Sequence, residues 1–135
     1  MLNTNIIHTP TGREEPWRFT PLAKLKGLHD GSAKIGAEHS LVSRALPGGV
    51  TFERVKSNVH TTDSDDAIVQ RVVGSDSIVK VTIDGELTEP VILGRQVIKD
   101  AEYSRVQVIV KKFAKATLIV ENTGNSLIAE DLELV

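Results

Sequence analysis

The last third of the chain carries the decisive pattern. Val106-Gln107-Val108-Ile109-Val110 gives way to Lys111-Lys112-Phe113-Ala114-Lys115, then to Ala116-Thr117-Leu118-Ile119-Val120, then to Glu121-Asn122-Thr123-Gly124-Asn125-Ser126, and finally to Leu127-Ile128 with Leu132 and Leu134 beyond. The apolar segments Val106–Val110, Ala116–Val120 and Leu127–Ile128 are short, rich in β-branched residues and separated by charged or turn-forming punctuation. Short strands at about ten-residue spacing predict a sandwich, a barrel or a β-solenoid. No strict repeat selects the solenoid by pattern alone. No long helix alternates with the strands, which argues against a doubly wound α/β sheet.

Working back toward the N-terminus, the same grammar continues. Val91–Leu93 follows Pro90, a residue best placed at a strand start. Val79, Val81 and Ile83 alternate with Lys80 and Thr82 as a half-buried strand does, and Asp84-Gly85 ends the run. Ala67–Val73 is apolar and short enough to read as strand or helix. Asn58–Asp66 is a polar, acidic loop. Leu41–Leu46 and Val50–Val55 flank Pro47-Gly48-Gly49, which reads as a hairpin.

Before residue 40 the periodicity disappears. The expected organisation is therefore an irregular segment over 1–40 and a β-rich domain over 41–135. One short helix is predicted at 21–26, with Thr20 as N-cap, Pro21 at the first helical position and Gly27 as the left-handed stop. It is too short to stand alone in water, so Leu22 and Leu25 must pack on something. Trp17 and Phe19, two of only five aromatic residues, are expected to anchor this segment to a β-layer. Trp17, Phe19, Pro21, Leu22 and Leu25 are thus the candidate structural anchors.

Composition narrows the function. The 135 residues carry 16 Lys and Arg against 18 Asp and Glu, which lacks the basic excess of a nucleic-acid or membrane footprint. Zero cysteines remove thiolate nucleophiles and Cys-ligated zinc or clusters from this chain and fit a reducing cytoplasm. Met1–Gly12 has no secretory-signal layout, and no apolar run has the length of a membrane span.

The search for chemistry returns little. Gly27-Leu28-His29-Asp30-Gly31-Ser32-Ala33-Lys34 has the wrong spacing for a phosphate-binding loop, Glu38-His39 is not a zinc-protease motif, and Gly74-Ser75-Asp76-Ser77 is not a nucleophile elbow. Asp63-Ser64-Asp65-Asp66 could gather a hard cation, but Ala67 and Ile68 stand where a calcium loop needs other residues. A solvated loop, with Asp66 capping the segment that starts at Ala67, is the better reading. His8, His29, His39 and His60 show no ligand spacing. No catalytic, cofactor-binding or metal-binding residue is assigned, and no cofactor is expected.

A resemblance supplies a function that the motifs do not. Glu15-Pro16-Trp17-Arg18-Phe19-Thr20-Pro21-Leu22 resembles the Trp-Arg-aromatic-Thr-Pro-Leu signature of SufD-type subunits of the SUF iron–sulfur cluster assembly system, and Lys26-Gly27-Leu28 continues it. Val79-Lys80-Val81 with Leu87-Thr88-Glu89-Pro90-Val91-Ile92-Leu93 is similar to that family's strand, turn and Glu-Pro strand start. Val108-Ile109-Val110, Ala114–Glu121 and Thr123–Leu127 look like the entry to its β-helix. The resemblance implies the start of a right-handed parallel β-helix, with a small two-layer β-sandwich as the alternative.

It further implies a non-catalytic scaffold that acts, in the intact protein, through SufB-type and SufC-type partners in the cytoplasm. The family's ATPase-docking helical domain and its late β-helix region are not in these 135 residues, and none of the four histidines aligns with the histidine implicated in assembly. A β-helix ending near Val135 would leave strand edges bare, so self-association through the C-terminal strands is expected. In the sandwich alternative Leu132 and Leu134 turn inward. Two other readings compete: an autonomous β-rich ligand-binding module, and a cupin-like metal enzyme using scattered His and Glu.

Overall fold

Val79, Val81 and Ile83 are each at most 2% exposed, while Ile78, Lys80 and Thr82 between them are only partly covered. That alternation is what a pleated strand with one face on a core requires. The chain is mainly β. The structure, a computed structural model, describes residues 7–35, 40–56, 64–75, 77–96, 100–122 and 127–135. Among the described residues the strands are β1 (Leu41–Ala45), β2 (Val50–Lys56), β3 (Ser77–Ile83), β4 (Val91–Arg95), β5 (Glu102–Val110), β6 (Leu118–Val120) and β7 (Ile128–Leu134), with one α-helix, α1 (Ala67–Val73).

The strands form two mixed sheets, ordered β1-β4-β6 and β2-β3-β5-β7. β1 and β2 enter antiparallel to β4 and β3. From β3 onward the chain alternates between sheets, and each return pairs parallel. Ile78 lies opposite Arg105, Val91 opposite Leu118 and Glu102 opposite Ile128, so successive turns are 26 or 27 residues long. The two layers share one core, with Leu41, Val91 and Leu93 from the first sheet and Val79, Val81, Ile83, Val106 and Val108 from the second. Each such side chain, fully buried, contributes about 1.5–3 kcal/mol.

Pro47-Gly48-Gly49 does not close a hairpin. β1 and β2 lie in different sheets, and the turn carries the chain around a corner between layers. All seven residues of β2 pair with β3, while β1 finds β4. The corner needs glycine at 49: its φ is +91°, and a methyl group there would collide with the Asp84 carbonyl. Asp84 N donates to Gly49 O at 2.9 Å, tying the corner to the end of β3.

Ala67–Val73 resolves as helix. Asp66 is the N-cap, its Oδ1 accepting from Ile68 N at 2.9 Å and Val69 N at 3.1 Å. Two otherwise orphaned amides are satisfied, which favours a helix over a strand. α1 packs on β5 and β7 and buries Ala67, Val72 and Val73.

Strand limits also move. β5 begins at Glu102, four residues before the apolar run, whereas β6 keeps only Leu118–Val120. Ile128, Leu132 and Leu134 belong to one strand, β7, yet Leu132 and Leu134 are 43% and 71% exposed rather than turned into a closed core. They stand in register with buried Val106 and Val108, but β7 is the edge of its sheet.

The helix expected at 21–26 is a single 3₁₀ turn, Leu22–Leu25, and another covers Glu15–Trp17. Pro21, not Thr20, occupies the cap, and no side chain caps the turn. Lys26 and Gly27 are both left-handed, with φ of 49° and 92°. Two such residues in succession stop the turn before an α-helix can form.

Candidate functional site: a polar cluster closing one end of the core

Along β5 the inward positions read Glu102, Ser104, Val106, Val108, all buried. One end of the core is therefore polar. Into that end the last residue of β4 sends Arg95, whose side chain is 3% exposed. Its Nε donates to Asn122 Oδ1 at 2.8 Å. One terminal nitrogen donates to Ser40 Oγ at 3.2 Å and Ser104 Oγ at 3.5 Å, and lies 3.7 Å from Glu102 Oε1. The other terminal nitrogen pairs with Glu130 of β7. Glu130 also accepts from Ser104 Oγ at 3.4 Å. Both Glu102 oxygens accept from Ser40 N, at 3.2 and 3.1 Å.

Every nitrogen of the guanidinium thus faces a protein acceptor. Burial pulls Arg95 below its ordinary value and Glu102 opposes that pull; the guanidinium stays charged at any physiological pH. A planar fork that reaches four strands and loops at once fits arginine and not lysine. With all three of its nitrogens engaged, the cluster is built to lock β4, β5 and β7 together.

A second seam holds the N-terminal segment. Leu28 is 4% exposed, and its carbonyl accepts from Tyr103 Oη at 2.6 Å. Arg71 Nε of α1 donates to His29 O at 3.4 Å. Burial raises the Tyr103 phenol above its usual value, as expected for a hydroxyl that must keep its proton to donate. The His29 ring is largely buried, and its Nδ1 has no hydrogen-bond partner among the described residues.

Of the five anchors read from the sequence, none is fully buried. Trp17, Leu22 and Leu25 are half-buried and Pro21 is exposed. Phe19 is 86% exposed, so it does not fasten the segment to a β-layer; Arg18 stacks over its ring at 5.1 Å. Leu28 holds the position expected of Phe19. Sequence reasoning singles out none of Arg95, Glu102, Ser104 and Glu130, although Glu102-x-Ser104-x-Val106-x-Val108 keeps strict period two.

Glu14 organises the residues ahead of the first 3₁₀ turn. Its carboxylate accepts from Thr11 N and Gly12 N at 3.0 Å and from Thr11 Oγ1 at 3.1 Å. Hydrogen bonds from its own backbone amide and from Thr11 lower its pKa to about 2. A depressed carboxylate stabilises above its unfolded value, and that stability is lost as pH falls through the folded one. The turn is therefore expected to persist at pH 5 and loosen progressively between pH 4.5 and 2. Amide shifts of Thr11 and Gly12 followed by NMR report it; a transition centred above pH 4.5 would contradict the assignment.

Among the described residues no group of three or more His, Asp or Glu is placed to hold a metal ion. Asp66 is occupied as a helix cap, while Asp63, His39 and His60 lie outside the described residues. Also among those residues, no helix is long and apolar enough to cross a membrane.

Comparison with known proteins gives the decisive observation. Over 98% of its length the chain is 30% identical to an iron-sulfur cluster assembly SufBD family protein of Mycobacterium bovis and to one of Mycobacterium tuberculosis. Its relatives are SufBD proteins. A SufBD family protein of Mycobacterium leprae is 29% identical over the same share. The chain spans 36% of the length of these SufBD relatives. No family model matches it, and no solved structure does so significantly.

Proposed function

We propose that the chain is the amino-terminal part of a SufBD family protein of the SufD type, and that it serves as a non-catalytic scaffold in iron–sulfur cluster assembly. The observation that carries this reading is the 30% identity across 98% of the chain. The Trp17-Arg18-Phe19-Thr20-Pro21-Leu22 run favours the SufD type within it. The alternation between two sheets with parallel returns every 26 or 27 residues supports the opening coils of a parallel β-helix, which is a platform and not a pocket. The fully engaged Arg95 cluster supports a structural role for the most polar part of the interior.

In the intact protein the partners are a SufB-type scaffold and a SufC-type ATPase, in the cytoplasm. Affinity purification of the intact gene product is expected to recover both, and its deletion to lower the activity of iron–sulfur enzymes several-fold. Unchanged iron–sulfur enzyme activity with neither partner recovered would overturn the proposal. The 135-residue chain itself is expected to self-associate through its C-terminal strands β6 and β7, each of which is one edge of its sheet. A strict monomer by light scattering at micromolar concentration would count against that.

A further inference from the structure

We propose that Asp84-Gly85 is a site of spontaneous covalent modification, at which Asp84 converts to isoaspartate, and that the fold protects the same dipeptide at Asp30-Gly31. The inference is independent of the cluster-assembly reading.

The chemistry needs only water. The amide nitrogen of the glycine attacks the side-chain carbonyl carbon, Cγ, of the preceding aspartic acid. A C–N bond forms, a C–O bond breaks, and the carboxyl hydroxyl leaves as water with the amide proton. The product is a five-membered succinimide. Water then opens the ring. Cleavage at Cγ restores aspartate, whereas cleavage at the original backbone carbonyl gives isoaspartate, with the main chain routed through Cγ and a free α-carboxylate. Nothing is oxidised or reduced, and the water lost in the first step is regained in the second. Glycine favours the attack because no Cβ blocks the close approach of its backbone.

The sequence holds two Asp-Gly steps, and the structure treats them oppositely. The Asp84 side chain is 64% exposed, and its one ion pair is a loose 3.9 Å contact with Lys111. The Gly85 amide donates to no acceptor among the described residues. Gly85 has a φ of +90°, and a methyl group built on it would meet nothing within 4 Å. Nucleophile and electrophile are both free to move. At the other step, Gly31 N donates to Gly27 O at 3.0 Å. Asp30 Oδ1 accepts from Ser32 N at 2.9 Å and from Ser32 Oγ at 2.6 Å. These bonds hold the Asp30 carboxyl below its ordinary range, which keeps it ionised and a poor source of leaving water. The Arg71 guanidinium packs against Gly31.

The openness of Asp84-Gly85 is lateral, and the open edges at β6 and β7 do not create it. Its neighbours in the stack are present on both sides. Asp84 N donates to Gly49 O at 2.9 Å on one side, and Gly85 O accepts from Lys115 N at 3.0 Å on the other.

The test ages the full, folded chain in neutral buffer for several weeks and then digests it with trypsin. Cleavage yields Val81–Arg95 and Gly27–Lys34, each with a single Asp and no Asn. Isoaspartate in each fragment is read by methylation with an isoaspartyl methyltransferase and a labelled methyl donor. It is expected to accumulate about tenfold faster at Asp84, since Asp30-Gly31 must first surrender its hydrogen bonds. A sample aged in guanidinium chloride should show the two sites reacting alike. Equal rates in the folded chain, or isoaspartate at Asp84 only in the denatured sample, overturn the proposal. So does the same ratio in both samples, which would assign the difference to local sequence and not to the fold.

Discussion

Arg95→Ala is expected to lower the unfolding free energy by about 3–5 kcal/mol, the usual cost of removing one partner from a buried ion pair. The cost comes from the groups left behind. Glu102, with a side chain 6% exposed, would be left in the interior without the guanidinium that offsets it. Ser40 and Ser104 would lose a donor, while Glu130, 24% exposed, can rehydrate. The same reasoning predicts an order among variants. Replacing Arg95 and Glu102 together by Met removes the charge along with its partner and should be less damaging than Arg95→Ala alone. Urea denaturation checks both statements. A loss below about 1 kcal/mol for Arg95→Ala, or a double variant no more stable than the single one, would show that the cluster does not lock the sheets.

Leu93→Ala should cost about 2–5 kcal/mol. Leu93 is 0% exposed and faces the valines of the opposite sheet within the shared core. Strands hydrogen-bonded on both sides cannot collapse readily onto the space it vacates, which places the expected value in the upper half of that range. The internal control is Leu134→Ala. It removes the same number of atoms from a side chain 71% exposed, where surface substitutions stay within about 0.5 kcal/mol. Equal effects for the two leucines, read from chemical denaturation midpoints, would contradict the assignment of core and edge.

Period-two alternation at Val79, Val81 and Ile83, the Pro90 strand start and the capping residue Asp66 were legible in the sequence because each depends on neighbours a few residues away. The corner at Pro47-Gly48-Gly49 was not. A turn sequence reports that the chain reverses or bends, but not which strand each arm will meet, and here the better partners lie in β3 and β4. Phe19 misled for a related reason. Hydrophobicity indicates that burial would be favourable, not that a surface is available, and Leu28 took the position beside Tyr103 instead.

The Arg95 cluster lay furthest from view. Glu102 and Ser104 keep the phase of Val106 and Val108, so the strand could have been extended back through them. Their burial, however, becomes tolerable only when a guanidinium arrives from β4 and a second carboxylate from β7. Local pattern, set by the pleat and by backbone capping, determined that this protein would be mainly β and where most of its strands would run. The pairing order, the corner between sheets and the polar end of the core were decided by tertiary structure, because each depends on free energies shared between residues that meet only after the chain has folded.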